Sequence, residues 1–442
     1  MTDQRRHGVT RRDFLKASGG LVAGGAVLSA GAQAVRAAGP VRLGALLPLS
    51  GSLASTGDLL KRAMELAVEL VNTPTPGVNL KFAKWAGIPS LGGAKIEVIW
   101  GDTRAQPAVG ADLATRMIAD QKVVGLIGAF NSDVTAAAST VAERMKTPMI
   151  NEASSSPALT KRGLKYFFRV SPHEQTFVNE AFLFLEGLKQ GKAQGVGAIP
   201  KDKLERVAIA TETTEIGRLL AELYQQAAAK FGYKVVATIR FKLGSPDLTS
   251  EMKELKASNP DVLLTLAGIS DAILLTKTMK REGVAPKVYY MDNYGASDPN
   301  YVRTLGRDAD HIVLRSVFSD KLLGKPVTQQ VNELYKKKAG VPLTDLSARA
   351  FSAMQAWLEV LNRAGSTEPD AIVKAAEGLT IPKDETIMPW DGINFVTTEF
   401  GDTHQNGLGR GLILQYQRGQ GEVMWPFELA TAKLVYPFGF AG

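Results

Sequence analysis

Short apolar runs that end in small polar loops, each followed by a stretch of helical periodicity, constrain this chain more than any other feature. Two such units lie close together. Val123 to Ala129 leads into Gly128-Ala129-Phe130-Asn131-Ser132-Asp133 and then a helical pattern from Val134 to Lys146. Pro148 to Ile150 leads into Asn151-Glu152-Ala153-Ser154-Ser155-Ser156-Pro157 and a helical stretch to Lys161. Strand, polar loop and helix start in that order make an anion or carboxylate site at the carboxyl ends of an open parallel sheet. The first-turn N–H groups lack intrahelical partners and carry the positive end of the helix dipole. Capping accounts for part of the pattern: Ser132 or Asp133 caps the first helix, and Ser156 precedes Pro157 at the first position of the second. Ser154 and Ser155 exceed that need, so the two loops are read as half of a ligand cleft.

The same alternation runs along the chain. Val41 to Leu47 is a strand, the loop from Leu49 to Gly57 follows, and a helix spans about Asp58 to Asn72. Residues 73–94, rich in Pro and Gly, read as an insertion that forms a lip over the cleft with Trp85 near its edge. Ile96 to Trp100 and Lys165 to Val170 are further strands, with a helix over Ala108 to Ala119 between them. A second series places strands at Arg206–Ala210, Lys234–Arg240, Val262–Leu266 and Lys287–Met291, separated by helices near Gly217–Ala229, Leu248–Ala257 and Ser270–Arg281. Strands spaced by helical patterns of that length imply parallel sheets. His311–Phe318 is another strand; helices follow at Val327–Lys338, Ser347–Arg363 and Pro369–Glu377. The tail from Trp390 turns to short β runs, notably Gly411–Tyr416. The expected fold is α/β, with two lobes interleaved along the chain.

The N-terminus carries Thr10-Arg11-Arg12-Asp13-Phe14-Leu15-Lys16, the pattern of a twin-arginine export signal. A weakly apolar Gly/Ala stretch from Ala17 to Val35 follows. Val35-Arg36-Ala37 or Ala32-Gln33-Ala34 offers small residues for cleavage. Residues 1–37 hold six of the basic side chains against two acidic ones, which leaves the rest of the chain near half of the formal +8. No Lys/Arg block is interleaved with aromatics, so nucleic acid is not an expected partner. The chain has no cysteine, which excludes thiolate metal sites, Cys nucleophiles and disulfides.

Catalytic signatures are missing. The sequence has no P-loop, no His-Glu-x-x-His and no Gly-x-Ser-x-Gly elbow. Gly407-Leu408-Gly409-Arg410-Gly411 precedes a strand and does not follow one, so it is not a dinucleotide fingerprint. His7, His173, His311 and His404 are isolated, and each is assigned a surface or satisfied-core role. No metal, no cofactor and no catalytic residue is expected.

Several segments, taken in order, resemble one family. They are Leu43-Gly44-Ala45-Leu46-Leu47-Pro48-Leu49-Ser50-Gly51, Glu69-Leu70-Val71-Asn72, Gly101-Asp102, Val124-Gly125-Leu126-Ile127-Gly128, Thr147-Pro148-Met149-Ile150 and Phe168-Arg169-Val170-Ser171-Pro172. Together with the export signal they are similar to the branched-chain amino acid-binding family of ABC-transporter receptors. The resemblance implies a type I periplasmic binding protein: two Rossmann-like lobes, three crossings, and a ligand held between the lobes. With crossings near Ser171, Val317 and Trp390, lobe 1 is 39–170 plus 318–388 and lobe 2 is 171–317 plus 389–442. It also implies that Ser132, Ala153, Ser154 and Ser155 hold a ligand carboxylate. Thr56 stands where the family often has Tyr in the opening loop, and Ile216 replaces a Tyr before Gly217. Gly268 replaces an aromatic, and Tyr294 takes the place of the acid that pairs with a ligand ammonium, with Asp292 close by. A carboxylate-bearing or neutral compound is therefore as well suited as an α-amino acid. The expected function is that of a monomeric periplasmic receptor delivering a small polar metabolite to an inner-membrane ABC permease and ATPase. A sensor of the same fold feeding a regulator, and more remotely an exported cofactor enzyme, are the alternatives.

Overall fold

The structure, a computed structural model, describes residues 39–292, 295–322 and 324–440. The expected signal at 1–37 and Tyr294 lie outside the described residues.

The first stretch of chain alternates β1 (Val41–Leu47), α1 (Ala54–Asn72), β2 (Ile96–Asp102), α2 (Pro107–Ala119), β3 (Gly125–Gly128), α3 (Ser132–Arg144), β4 (Met149–Asn151) and β5 (Phe167–Arg169). A second runs α4 (Glu174–Lys189), β6 (Arg206–Glu212), α5 (Glu215–Phe231), β7 (Lys234–Phe241), α6 (Thr249–Ser258), β8 (Val262–Leu266), α7 (Ile269–Glu282), β9 (Val288–Met291), α8 (Pro299–Leu305) and β10 (Val313–Ser316). The chain then returns through α9 (Pro326–Ala339), α10 (Asp345–Ala364), α11 (Pro369–Glu377), β11 (Thr380–Pro382), β12 (Gly392–Val396) and β13 (Gln405–Asn406). It ends with the hairpin β14 (Leu412–Gln417) and β15 (Gln420–Trp425).

These strands form two sheets. One has the order β11-β12-β13-β5-β4-β3-β1-β2, the other β15-β14-β10-β9-β8-β6-β7. Pairing is parallel from β1 to β5 and from β6 to β10, and the late strands add antiparallel pairs at one edge of each sheet. Sheet membership differs from expectation in one place. β12 and β13 belong to the first sheet, because Phe395 pairs with Asn406 and Gln405 with Arg169, so the stretch after Trp390 does not pass at once to the second sheet. The chain leaves the first sheet only after Asn406 and enters the second at Leu412.

Helices cover both faces of each sheet, as buried parallel strands require. On one face of the first sheet, α10 supplies Phe351, Met354, Trp357 and Leu358, all fully buried, so this stripe is core as its spacing predicts. Trp357 sits against Gly125, where an added Cβ would stand 2.2 Å from its ring, and its indole N–H donates to Leu126 O at 3.0 Å. A capping box of Thr344 and Ser347 starts α10, and left-handed Gly365 ends it.

Residues 73–94 do not form a lip. They join the end of α1 to the start of β2, at the amino end of parallel strands, whereas a cleft at the carboxyl ends lies a seven-residue strand away, about 20 Å. Leu80, Phe82 and Ile88 are fully buried in the core that α1 and α10 share. Phe82 packs on Phe351 at 6.2 Å, and Trp85 lies partly buried against the same core.

Candidate ligand-binding site

The carboxyl ends of β3 and β4 bring the two loops together. Ser132 Oγ accepts the N–H of Ser156 at 3.3 Å, and Asn151 Nδ2 donates to Gly128 O at 2.8 Å. α3 begins at Ser132, two residues earlier than the sequence pattern suggests, and its Asn131 cap makes no side-chain bond to the helix. Within its first turn Val134 N–H donates to Asp133 Oδ1 at 2.8 Å and Thr135 N–H to Asn131 O at 2.9 Å, which leaves the Ser132 and Asp133 N–H groups beside the half-buried Ser132 hydroxyl as donors for a guest. The second loop differs from expectation. Pro157 opens only a three-residue 3-10 turn, Pro157–Leu159, since the stretch before Gly163 is too short to sustain a helix. The macrodipole contribution therefore comes from α3, and the second loop offers isolated peptide groups.

The four candidates on these loops separate into two kinds. Ser154 is buried and its hydroxyl is saturated: it donates to Phe130 O at 2.8 Å and accepts from Asn151 Nδ2 at 2.9 Å. Thr135 Oγ1 lies 2.6 Å from it and itself accepts the Ala129 N–H at 3.0 Å. A hydroxyl has one proton and two lone pairs, so Ser154 ties the loops to each other. Ala153 is also buried. Ser132 and Ser155 are half-buried, as is Thr56 in the first turn of α1.

At the second sheet, Ile216 and Gly268 lie at the ends of β6 and β8. Gly268 N donates to Glu212 Oε2 at 3.1 Å, and Ile216 packs partly buried on that lobe's core. Gly57 and Gly217 play matching parts: a Cβ on either would stand 2.1 Å from a carbonyl of the preceding strand end, Pro48 O or Glu212 O. Glycine thus lets α1 and α5 start hard against their strands. Asp292 is fully buried, bound by Arg315 Nε at 2.8 Å and by the Tyr224 hydroxyl at 3.0 Å.

Residues that pattern reading passed over surround these loops. Glu174 N donates to Ser155 O at 2.9 Å, and Arg315 Nη2 reaches Glu174 Oε1 at 3.4 Å. Arg349 donates to Ser171 Oγ at 3.3 Å and pairs with Asp345. Burial pushes the Glu152 and Glu174 carboxyls up to about 7, against the pull of the Glu152 and Phe130 N–H groups and then Arg349 on the first, and chiefly of Arg315 on the second. Burial opposes the charge of Arg315 too, yet Asp292 and Glu174 hold its pKa above the ordinary value. The available signal was charge inside apolar runs: Arg315 in a strand, Arg349 on the buried stripe of a helix.

The three histidines among the described residues, His173, His311 and His404, are occupied within the protein. His173 Nδ1 accepts the Gln175 N–H at 3.2 Å, so Nε2 carries the proton toward Asp402 at 2.9 Å. Burial lowers its pKa to about 4 despite that carboxylate. His404 stacks on Phe168 at 4.3 Å, and His311 bonds Gly439 O at 3.0 Å. Among the described residues no group of His, Asp and Glu side chains is arranged to hold a metal, and no helix is long and apolar enough to cross a membrane. The cavity of about 370 Å³ lined by Val41, Arg42, Leu91, Lys122 and Thr367 lies at the amino ends of the first sheet, away from these loops.

Two interleaved α/β units with polar loops at their strand ends define a two-lobed solute-binding protein. The profile of the periplasmic binding protein family matches residues 40–408, and the chain belongs to that family, whose members bind solutes and do not transform them. It is 27% identical over 398 residues to Leu/Ile/Val-binding protein homolog 8 of Brucella abortus (strain 2308), covering 89% of this chain and 92% of that one. Among solved structures, a putative branched-chain amino acid ABC transporter from Silicibacter pomeroyi superposes with a TM-score of 0.75 at 18% identity, covering 90% and 99%. A solute-binding protein of an ABC transporter from Rhodopseudomonas palustris BisB5, in complex with 3,4-dihydroxybenzoic acid, gives 0.67 at 20% identity, covering 91% and 99%.

Proposed function

We propose that this chain is the periplasmic receptor of an ABC importer and closes two lobes over a small carboxylate-bearing metabolite, an amino acid or related organic acid. The carrying observation is the junction of the two loops through Ser132 Oγ and Ser156 N, beside the α3 N-terminus. Ser132, Ser155 and the loop N–H groups grip the carboxylate; Thr56, Ile216 and Gly268 line the rest of the cleft. Sheet membership supports a division at 170–173, 316–319 and 407–411, with the third crossing later than Trp390. Closure follows from contacts that a ligand makes only when both lobes meet it. The twin-arginine pattern supports export of the folded chain, which acts as a monomer on its permease and ATPase.

Asp292 supports an acid without a free ammonium as the better guest. Its charge is already answered by Arg315, and an ammonium buried without its own carboxylate costs several kcal/mol. A relative holding an aromatic acid supports the same class. The test is a thermal-shift screen of amino acids, aliphatic acids, aromatic acids and amides. A ligand at 100 times its Kd stabilises by about 2.7 kcal/mol. Organic acids are expected to lead; a screen in which no carboxylate raises the melting temperature overturns the reading.

A further inference from the structure

We infer that the buried Asp345–Arg349 pair is the positioning element that couples the ligand loop to the hinge. The inference rests on the receptor reading above and adds residues to it. The two side chains lie one turn apart at the start of α10, 9% and 2% exposed, and form an ion pair. Arg349 Nη1 reaches Ser171 Oγ, on the first crossing, at 3.3 Å, and Ala153 O, on the ligand loop, at 3.5 Å. Asp345 Oδ2 accepts the Val317 N–H at 2.8 Å and the Ser316 hydroxyl at 3.2 Å, on the second crossing. One ion pair therefore touches the loop and two of three crossings. The third is held separately, by Glu180 on the Gly411 N–H at 3.0 and 2.9 Å.

The geometry gives the pair a directional effect. In a planar trans peptide the carbonyl and the following N–H point opposite ways. Drawing Ala153 O toward Arg349 turns the Ser154 N–H away from it. Ser154 O is held by Arg169 Nη1 at 3.2 Å, and the peptide after it follows the same logic: Ser155 O is held by Glu174 N at 2.9 Å while Ser156 N–H points to Ser132 Oγ. A change in how the crossings sit under Asp345 thus moves Arg349 and re-aims the loop, and a guest on the loop biases the crossings in return.

Lobe separation is the readout that a merely structural ion pair would leave unchanged. The chain has no cysteine, so Gln106→Cys and Leu243→Cys place two spin labels without competition. Both positions are exposed and follow the carboxyl ends of β2 and β7, edge strands of different sheets. In this background Arg349→Met is expected to shift or broaden the ligand-free distance distribution. It is also expected to weaken, at least tenfold, whichever of L-leucine and 3,4-dihydroxybenzoate shortens the distance in the parent. Arg349→Lys keeps the charge but spans fewer partners, and is expected to restore part of both effects. If Arg349→Met fails to fold, as read by far-ultraviolet circular dichroism, Arg349→Lys carries the comparison alone. Ligand-free distributions identical to the parent in the folded variants overturn the coupling. Failure of both probes to shift the parent counts against these guests and leaves the ligand-free comparison decisive for the hinge.

Discussion

Arg315 Nη2 lies 2.7 Å from Asp292 Oδ1 in a wholly buried pair, and the same guanidinium stacks over the Phe177 ring at 3.9 Å. Arginine here answers two acids, Asp292 and Glu174. Removing one partner of a buried pair strands a charge, typically at 3–5 kcal/mol. Arg315→Met is expected to lower the urea-unfolding free energy by about that amount. Asp292→Asn is expected to cost less, because Arg315 keeps Glu174. Equal losses in the two variants would show that Glu174 does not share the guanidinium.

Ser132 and Ser154 should part company under substitution. Ser154→Ala leaves Phe130 O and an Asn151 donor without their partner in a buried place, so a loss of about 1–3 kcal/mol in stability is expected. Ser132→Ala with Ser155→Ala is expected to lower the melting temperature less than Ser154→Ala, because both serines are half-buried, and to weaken binding of any acid found in the screen. Calorimetric titration of the double variant with unchanged affinity removes both hydroxyls from the site.

Stability should fall as pH rises through neutrality. Burial raises Glu180 to about 8 and Glu152 and Glu174 to about 7, above the ordinary 4.5. Between the ordinary and the raised values the folded chain keeps protons that the unfolded chain has released, so stability is full on the acid side and lost toward the raised pKa. His173, lowered by burial to about 4 from 6.5, has the opposite sign and costs stability as pH falls between those values. Glu180→Gln retains an acceptor for Gly411 N–H and is expected to flatten the decline between about pH 6 and 8 in urea titrations. An unaltered slope would mean that Glu180 does not hold its proton in the folded state.

Phe82→Ala should damage the fold and spare the site. The ring is fully buried against Phe351 in the segment at the far end of the sheet. A cost of about 3–5 kcal/mol is expected. Ligand selectivity measured below the melting temperature should match the parent; altered selectivity would return residues 73–94 to the cleft.

Periodicity made most elements legible. The helix expected over Pro369–Glu377 has those bounds, and Trp357 lies in the core. What pattern reading missed depends on distant partners. A three-residue turn after Pro157 looks like a helix start because Ser-Pro is a good beginning to either. Strand β13, only two residues long, has no periodicity to detect and is defined by Arg169 beside it. The buried acids and arginines were invisible for the same reason: a charge in an apolar run is uninformative until its counter-charge, more than a hundred residues away between Glu174 and Arg315, is known.

The late return of β13 has a bearing on biosynthesis. Arg169 is buried with its Nε on Gln405 Oε1 at 2.7 Å, 236 residues downstream. A nascent chain that has emerged only as far as β5 can already place Ser154 O, Ser156 O and Thr160 Oγ1 on that guanidinium, but leaves its Nε without Gln405 and that strand edge bare. The β5 side of the first sheet is therefore sealed only after nearly the whole polypeptide has left the ribosome, and a chain truncated before Gln405 should be captured by chaperones rather than settle as half a receptor.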